Sequence, residues 1–262
     1  DTDPFVGEQN VPSHSWLELH EAPSPAGPWQ LLTRLGSGPL PPAAYPIDQA
    51  LNGLDGFLQE TLVYSEPGLF SYDGRLYLSL SALAPGPSGS FVAQVVLLSS
   101  SDHGVSWDFL GPLMTTEQAA LLGYEDFGGS AIVEEGGFHF LLASPGTVVS
   151  PRLGTAIFLF ADLATGRLVM EGGAPKMFGQ IPLQPAPGGV QFGGQADYHE
   201  QAAAGGILMN QLETARWPEV FQVRRTGMTP LPEPGMTVSL LFGVAVLALG
   251  RRRSSRGRVE LR

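Results

Sequence analysis

The stretch Glu66-Pro67-Gly68-Leu69-Phe70-Ser71-Tyr72-Asp73-Gly74-Arg75-Leu76-Tyr77-Leu78-Ser79-Leu80-Ser81 decides the architecture, because the chain uses it more than once. Ala131-Ile132-Val133-Glu134-Glu135-Gly136-Gly137-Phe138-His139-Phe140-Leu141-Leu142-Ala143-Ser144 has the same form. Each is a short apolar strand, a tight turn containing glycine and an aromatic-rich strand, which together make a β-hairpin signature. Gly74 and Gly137 hold equivalent places, 63 residues apart. A third, weaker copy ends in Gly205-Gly206-Ile207-Leu208-Met209-Asn210. A fixed period of this kind marks a repeated supersecondary unit, and it must be read before anything else.

Working outward, each of these inner hairpins is followed by an outer one. The outer copies run from Ser15 to Leu32 around Pro25-Ala26-Gly27-Pro28, from Phe91 to Leu110 around Asp102-His103-Gly104, from Thr155 to Met170 around Ala164-Thr165-Gly166, and from Phe221 onward around Thr226-Gly227. Two hairpins make a four-stranded unit. Several such units in succession predict an all-β body, residues 1–230, folded as a β-propeller of about five blades. The first outer copy lacks an inner partner, so the pattern predicts that half a blade and any signal peptide precede Asp1. Between the blades, Thr115 as N-cap, Gln118 three residues later and Gly123 as a stop predict one short helix. The Pro- and Gly-rich run from Gly172 to Gly194 reads as a loop.

Composition narrows the partners. Hydrophobic residues make up 43% of the 262 residues and charged residues 15%, which supplies a core and excludes an intrinsically disordered chain. Six of the 14 basic residues fall in the last twelve positions, and residues 1–230 hold 8 basic and 23 acidic side chains, a net charge of -15. Such a body repels phosphate backbones, so nucleic acid is not an expected partner. The absence of cysteine removes disulfides, thiolate chemistry and Cys-ligated metal. His139 and His199 show no metal-ligand spacing, and no metal or cofactor is expected.

The segment Ser100-Ser101-Asp102-His103-Gly104-Val105-Ser106-Trp107 fits the pattern Ser-x-Asp-x-Gly-x-x-Trp and resembles the Asp box that recurs in the blades of sialidases and related propellers. Physically it is a turn device. Ser100 and Asp102 are placed to bond turn NH groups, Gly104 to take positive φ, and Trp107 to bury its ring between strands. In that family the boxes lie at the blade periphery, so the resemblance implies architecture and not catalysis. Sialidases also need three arginines on the substrate carboxylate. Arg34, Arg75, Arg152, Arg167, Arg216, Arg224 and Arg225 are present in number, but none lies in a recognisable motif of that family.

The inner hairpins also resemble those of five-bladed propellers of arabinanase and xylosidase type, in which an acidic residue just before each innermost strand points into a central cleft. That resemblance implies Glu66, Asp126 (of the pair Glu125-Asp126) and Glu200 (or Asp197) as candidate catalytic carboxylates. Glycosidases need two carboxylates flanking the scissile bond, one of them with a raised pKa. The competing reading is that acidic residues at loop–strand junctions are solvated turn residues.

The chain ends differently. Leu231-Pro232-Glu233-Pro234-Gly235 is followed by an uncharged run from Met236 to Leu249 and then by Gly250-Arg251-Arg252-Arg253. A helix over about 235–250 would be roughly 24 Å long, a little short of the ~30 Å hydrocarbon core. The arginines behind it would stay cytoplasmic, which places residues 1–230 outside the inner membrane. Residues 231–262 resemble a PEP-CTERM sorting tail, which implies recognition of Pro232, Glu233 and Pro234 by an exosortase, transient anchoring and then release to the cell surface or matrix. The alternative for the same residues is a permanent single-pass anchor. The function expected of the whole is an exported protein that binds or hydrolyses polysaccharide, with Trp16, Trp29, Tyr72 and Tyr198 available to stack on sugars; the alternative is a non-enzymatic matrix or adhesion protein.

Overall fold

A computed structural model describes residues 16–38, 47–86, 91–146, 154–181, 191–199, 206–213 and 220–224, with backbone only from residue 181 on. The chain is mostly β-sheet. The first sheet holds β1 (Trp16–Glu21), β2 (Gln30–Gly36) and β3 (Gln49–Ala50) in that order, with β2 and β3 parallel. Two short 3-10 turns, Leu51–Gly53 and Gly56–Leu58, lead out of it. The second sheet is a four-stranded meander of β4 (Val63–Tyr72), β5 (Arg75–Pro85), β6 (Phe91–Ser100) and β7 (Asp108–Met114). It contains the hairpin quoted at the outset followed by its outer partner.

Helix α1 (Thr116–Leu121) comes next, held by the capping box expected of its sequence. The Thr115 hydroxyl accepts from the Gln118 backbone NH at 3.3 Å, and the Gln118 side chain accepts from the Thr115 NH at 3.0 Å. Two otherwise unpaired helix donors are satisfied in this way.

The third sheet repeats the inner hairpin with β8 (Asp126–Glu135) and β9 (Phe138–Gly146), and continues into β10 (Thr155–Asp162). Its outer edge departs from the expected hairpin. Only a two-residue strand, β11 (Arg167–Leu168), pairs with the end of β10. The chain then makes a small hairpin of β12 (Met170–Glu171) and β13 (Ala174–Pro175), and returns as β14 (Met177–Ile181) alongside β10. Part of the run read as a loop is therefore a strand. Gly172 and Gly173, both at positive φ, turn the small hairpin and do not end the sheet. The fourth sheet holds β15 (Gln191–His199), β16 (Gly206–Glu213) and β17 (Val220–Arg224).

Packing follows from period two applied to strands buried on both faces. On β5 and β6, Leu78, Leu80, Ala82, Val96 and Leu98 join Leu35, Leu51, Leu58, Tyr64 and Trp107 in a core on the side of the first sheet. The alternate residues Tyr77, Val95 and Leu97 join Phe127, Ile132, Leu141, Ala156 and Phe158 on the side of the third. The second sheet is thus a layer between two cores. Its near-continuous apolar strands, such as Phe91–Ser100, are what burial on two faces requires.

Among the described residues no helix is long and apolar enough to cross a membrane. The expected sorting helix at about 235–250, and Pro232, Glu233 and Pro234 before it, lie outside the described residues.

Candidate functional site

The innermost strands β4, β8 and β15 lie side by side, β4 next to β8 and β8 next to β15. Each is the first strand of its meander, and each carries a bulge at the same place. In β4 the register slips between Ser65 and Gly68, in β8 between Gly128 and Ala131, and in β15 between Gly193 and Ala196. A bulge leaves its extra residue unpaired and re-aims the backbone. Glu66 in β4 and Gly129 in β8 are register equivalents and share the left-handed conformation, with φ of 53° and 56°. For a residue with a side chain this is uncommon.

What holds Glu66 there is its carboxylate. Oε2 accepts from the Ser81 hydroxyl on β5 at 2.5 Å and from the Gly129 backbone NH on β8 at 2.6 Å. The Ser81 hydroxyl oxygen also accepts from that NH at 3.1 Å. Glu66 therefore bridges two sheets at the bulges where their innermost strands meet. The strands approach closely at Gly68, where a Cβ would lie 2.9 Å from Ala131 Cα and 2.6 Å from Ser79 Oγ. Only glycine fits that contact. Ser130, beside Gly129 in the same bulge, is buried, and its hydroxyl has no hydrogen-bond partner among the described residues.

Of the candidate carboxylates, Glu66 and Asp126 do not occupy equivalent positions. Asp126 opens β8, and its Oδ2 accepts from the backbone NH of Ala93, near the start of β6, at 3.1 Å. Its register equivalents are Val63 and Gln191, whereas Glu66 corresponds to Gly129 and Gly194. Glu200 lies outside the described residues. Among the described residues Asp126 opens its innermost strand, whereas Glu66 lies inside β4. The bulge explains the difference for Glu66, since an unpaired residue inside a strand reads in sequence like a residue before one. Asp197 lies within β15 itself.

The turn from Ser100 to Trp107 is a closed hydrogen-bond system. The Ser100 hydroxyl donates to Asp102 Oδ1 at 2.7 Å and accepts from the Gly104 NH at 2.8 Å. Asp102 accepts from the NH and the hydroxyl of Ser106 at 2.9 and 2.6 Å. These Ser106 bonds, with the Ser100 hydroxyl, pull the Asp102 pKa down to about 2. Gly104 has φ of 92°, and the Trp107 indole NH donates to its carbonyl at 3.0 Å. Trp107 is 1% exposed. One partner has no signature in the sequence: the Gln49 side-chain amide, on β3, donates to the Trp107 carbonyl at 2.7 Å and accepts from its NH at 2.9 Å. It imitates a strand pair across two sheets and links sequence positions 49 and 107.

Other expected residues fall elsewhere. Arg34 pairs with Glu18 at 2.9 Å, and this guanidinium, followed by His20, holds the Glu18 carboxyl at a pKa of about 2. Arg75 and Arg167 lie on strands β5 and β11. His139 packs edge-on against the Tyr72 ring at 4.2 Å, with the Glu134 carboxylate 3.9 Å away. Trp29 is 60% exposed and Tyr72 42% exposed, while Trp16 is half-buried and its indole NH donates to Glu18 at 3.3 Å. Among the described residues no group of three or more His, Asp or Glu is placed to hold a metal ion.

The fold and site define a class in coarse terms: a mostly-β protein of successive antiparallel hairpin sheets with their innermost strands abutting. No known family's sequence profile matches the chain, and no curated protein matches it in sequence. Solved structures that it resembles include Bacteroides ovatus Xyloglucan PUL GH43B, at 13% identity and a TM-score of 0.49 over 84% of this chain and 37% of that one. A thermostable family-43 glycoside hydrolase aligns at 15% identity and a TM-score of 0.47, over 78% of this chain and 64% of that one. The GH43_1 enzyme from Xanthomonas citri complexed with xylose aligns at 12% identity and a TM-score of 0.38, over 56% and 39%. The chain spans less than two thirds of the length of each of these, and the likenesses stay below a TM-score of 0.5.

Proposed function

We propose that residues 1–230 form a β-propeller of about five blades that is exported, sorted to the cell surface by the tail 231–262 through an exosortase, and there binds polysaccharide without hydrolysing it. The hairpin sheets stacked through two cores support the propeller, and the Ser100–Trp107 turn supports reading that segment as an Asp box. The Pro232-Glu233-Pro234 motif, the apolar run and the arginines support sorting from sequence alone. Exposed Trp29 and Tyr72 supply faces on which a sugar ring stacks.

The observation that carries binding over hydrolysis is the engagement of Glu66. A glycosidase sets two carboxylates roughly 5–9.5 Å apart across one bond, one of them free to donate a proton. Here Glu66 ties β4 to Ser81 and to the Gly129 NH, while Asp126 reaches back to β6 from a different register position. The bond pattern is that of groups joining sheets. Purified protein should be retarded in affinity electrophoresis by at least one of a panel of plant and bacterial polysaccharides, with no release of reducing ends. Trp29→Ala or Tyr72→Ala should weaken retention several-fold. Release of reducing ends that is abolished by Glu66→Gln, Asp126→Asn or Glu200→Gln would replace this reading with hydrolysis, and failure to bind any glycan would remove it.

A further inference from the structure

The core between the second and third sheets has an open end, and alternate residues lead to it along each strand. On β4, Tyr72 follows Phe70, which packs on that core; on β5, Arg75 precedes Tyr77, and on β9, His139 precedes Leu141. Glu134, past Ile132 on β8, stands opposite His139, as Arg75 stands opposite Tyr72. Tyr72, Arg75, Glu134 and His139 therefore cap the core where the β4–β5 and β8–β9 hairpins turn. Asp126 opens β8 and Tyr72 closes β4, so this cap and that carboxylate lie at opposite ends of the seam.

The cap is exposed and yet fixed. The Tyr72 ring and the Glu134 side chain both reach solvent, and Arg75 is exposed beside them. His139 holds the Tyr72 ring, with centroids 4.2 Å apart and planes at 68°, and Phe70 packs edge-on to the same imidazole at 5.8 Å. A ring already held in place loses little rotamer freedom on binding a ligand. A sugar presents a CH face and a rim of hydroxyls that both donate and accept. Tyr72 meets the face, the Arg75 guanidinium donates and the Glu134 carboxylate accepts. Trp29 is more exposed, but residues 22–33 around it carry no charge, so its turn supplies no such pair. At the two hairpin turns Asp73, Glu134 and Glu135 outnumber Arg75, on a body of net charge -15, so polyanions are repelled.

We propose, resting on the glycan-binding reading above, that this cap is the glycan site and that its ligand is a neutral polysaccharide. A sugar ring stacks on Tyr72 with its hydroxyls on Arg75 and Glu134.

Affinity electrophoresis of the full chain in gels cast with xyloglucan, mixed-linkage β-glucan or dextran, against polygalacturonate and alginate, tests both parts. At least one neutral polymer should retard the protein, and neither acidic one should. Tyr72→Ala should weaken binding about fivefold or more, and Tyr72→Phe, which keeps the ring, should stay within about twofold. Arg75→Gln and Glu134→Gln, at exposed positions, should each weaken it about threefold or more with circular dichroism unchanged. Leu121→Ala, at an exposed apolar residue on α1, should stay within about twofold. Retardation by the acidic polymers, undiminished binding in the Tyr72, Arg75 and Glu134 variants, or loss through Trp29→Ala with Tyr72→Ala still binding would each overturn the site while glycan binding stands. Retardation by no polysaccharide at all would remove glycan binding itself, and this site with it.

Discussion

Replacing Trp107 by alanine perturbs the junction of the first two sheets at its largest buried side chain. The indole is 1% exposed in a core with Leu35, Leu51, Leu58, Leu80 and Leu98, and its NH donates to the Gly104 carbonyl at 3.0 Å. Truncation of a buried Phe or Trp costs about 3–5 kcal/mol, and loss of the indole hydrogen bond adds about 1 kcal/mol. A typical domain is stable by only about 5–15 kcal/mol, so Trp107→Ala should remain folded with a much reduced margin. Urea titration followed by circular dichroism should show the midpoint falling by more than about 1 M, given a slope of about 1–3 kcal/mol per molar. Trp107→Phe, which keeps an aromatic ring but loses the donor, should cost about 1–2 kcal/mol. A loss below about 1 kcal/mol for the alanine variant would refute the packing described for this turn.

Four further outcomes are expected. Gln49→Ala removes both bonds to the Trp107 backbone and should cost about 1–3 kcal/mol in the same titration, with little additivity when combined with Trp107→Ala. Gly68→Ala forces a Cβ into Ala131 and Ser79 and should cost about 1–3 kcal/mol, whereas Gly74→Ala, in open space, should be limited by its positive φ alone. The Asp102 pKa falls from 3.8 to about 2 on folding, so its stabilising contribution is complete above about pH 4 and disappears as pH drops toward 2; Asp102→Asn should flatten that part of the stability–pH curve. Protein recovered from the surface of a host that has an exosortase should have lost everything beyond about Gly235 by intact mass, and recovery of the full tail would point to a permanent anchor.

The hairpins were legible because their signals are local. Gly74 and Gly137 turn adjacent strands, and aromatic and β-branched residues flank them with period two. Helix α1 was legible through Thr115 and Gln118, whose side chains act within one turn. Three features were not legible. The bulges of β4, β8 and β15 shift register by a residue without changing composition, so Glu66 read as a residue before a strand when it lies inside one. The outer edge of the third sheet was hidden because Gly172, Gly173 and Pro175 carry the composition of a loop while turning a hairpin that sends Met177–Ile181 back to β10. Gln49 escaped for a different reason: its partner is 58 positions away, and a lone glutamine carries no pattern.

The account rests on β4 and β8 meeting at their bulges, and nuclear Overhauser contacts test that meeting directly. The Gly129 amide proton should show cross-peaks to the side chains of Glu66 and Ser81, and the Tyr72 ring protons should show them to His139, whose ring centroid lies 4.2 Å away. If these cross-peaks are absent while those between paired strands within one sheet, such as Leu69 with Leu78, are present, the hairpins fold but do not abut, and the stacked arrangement is wrong.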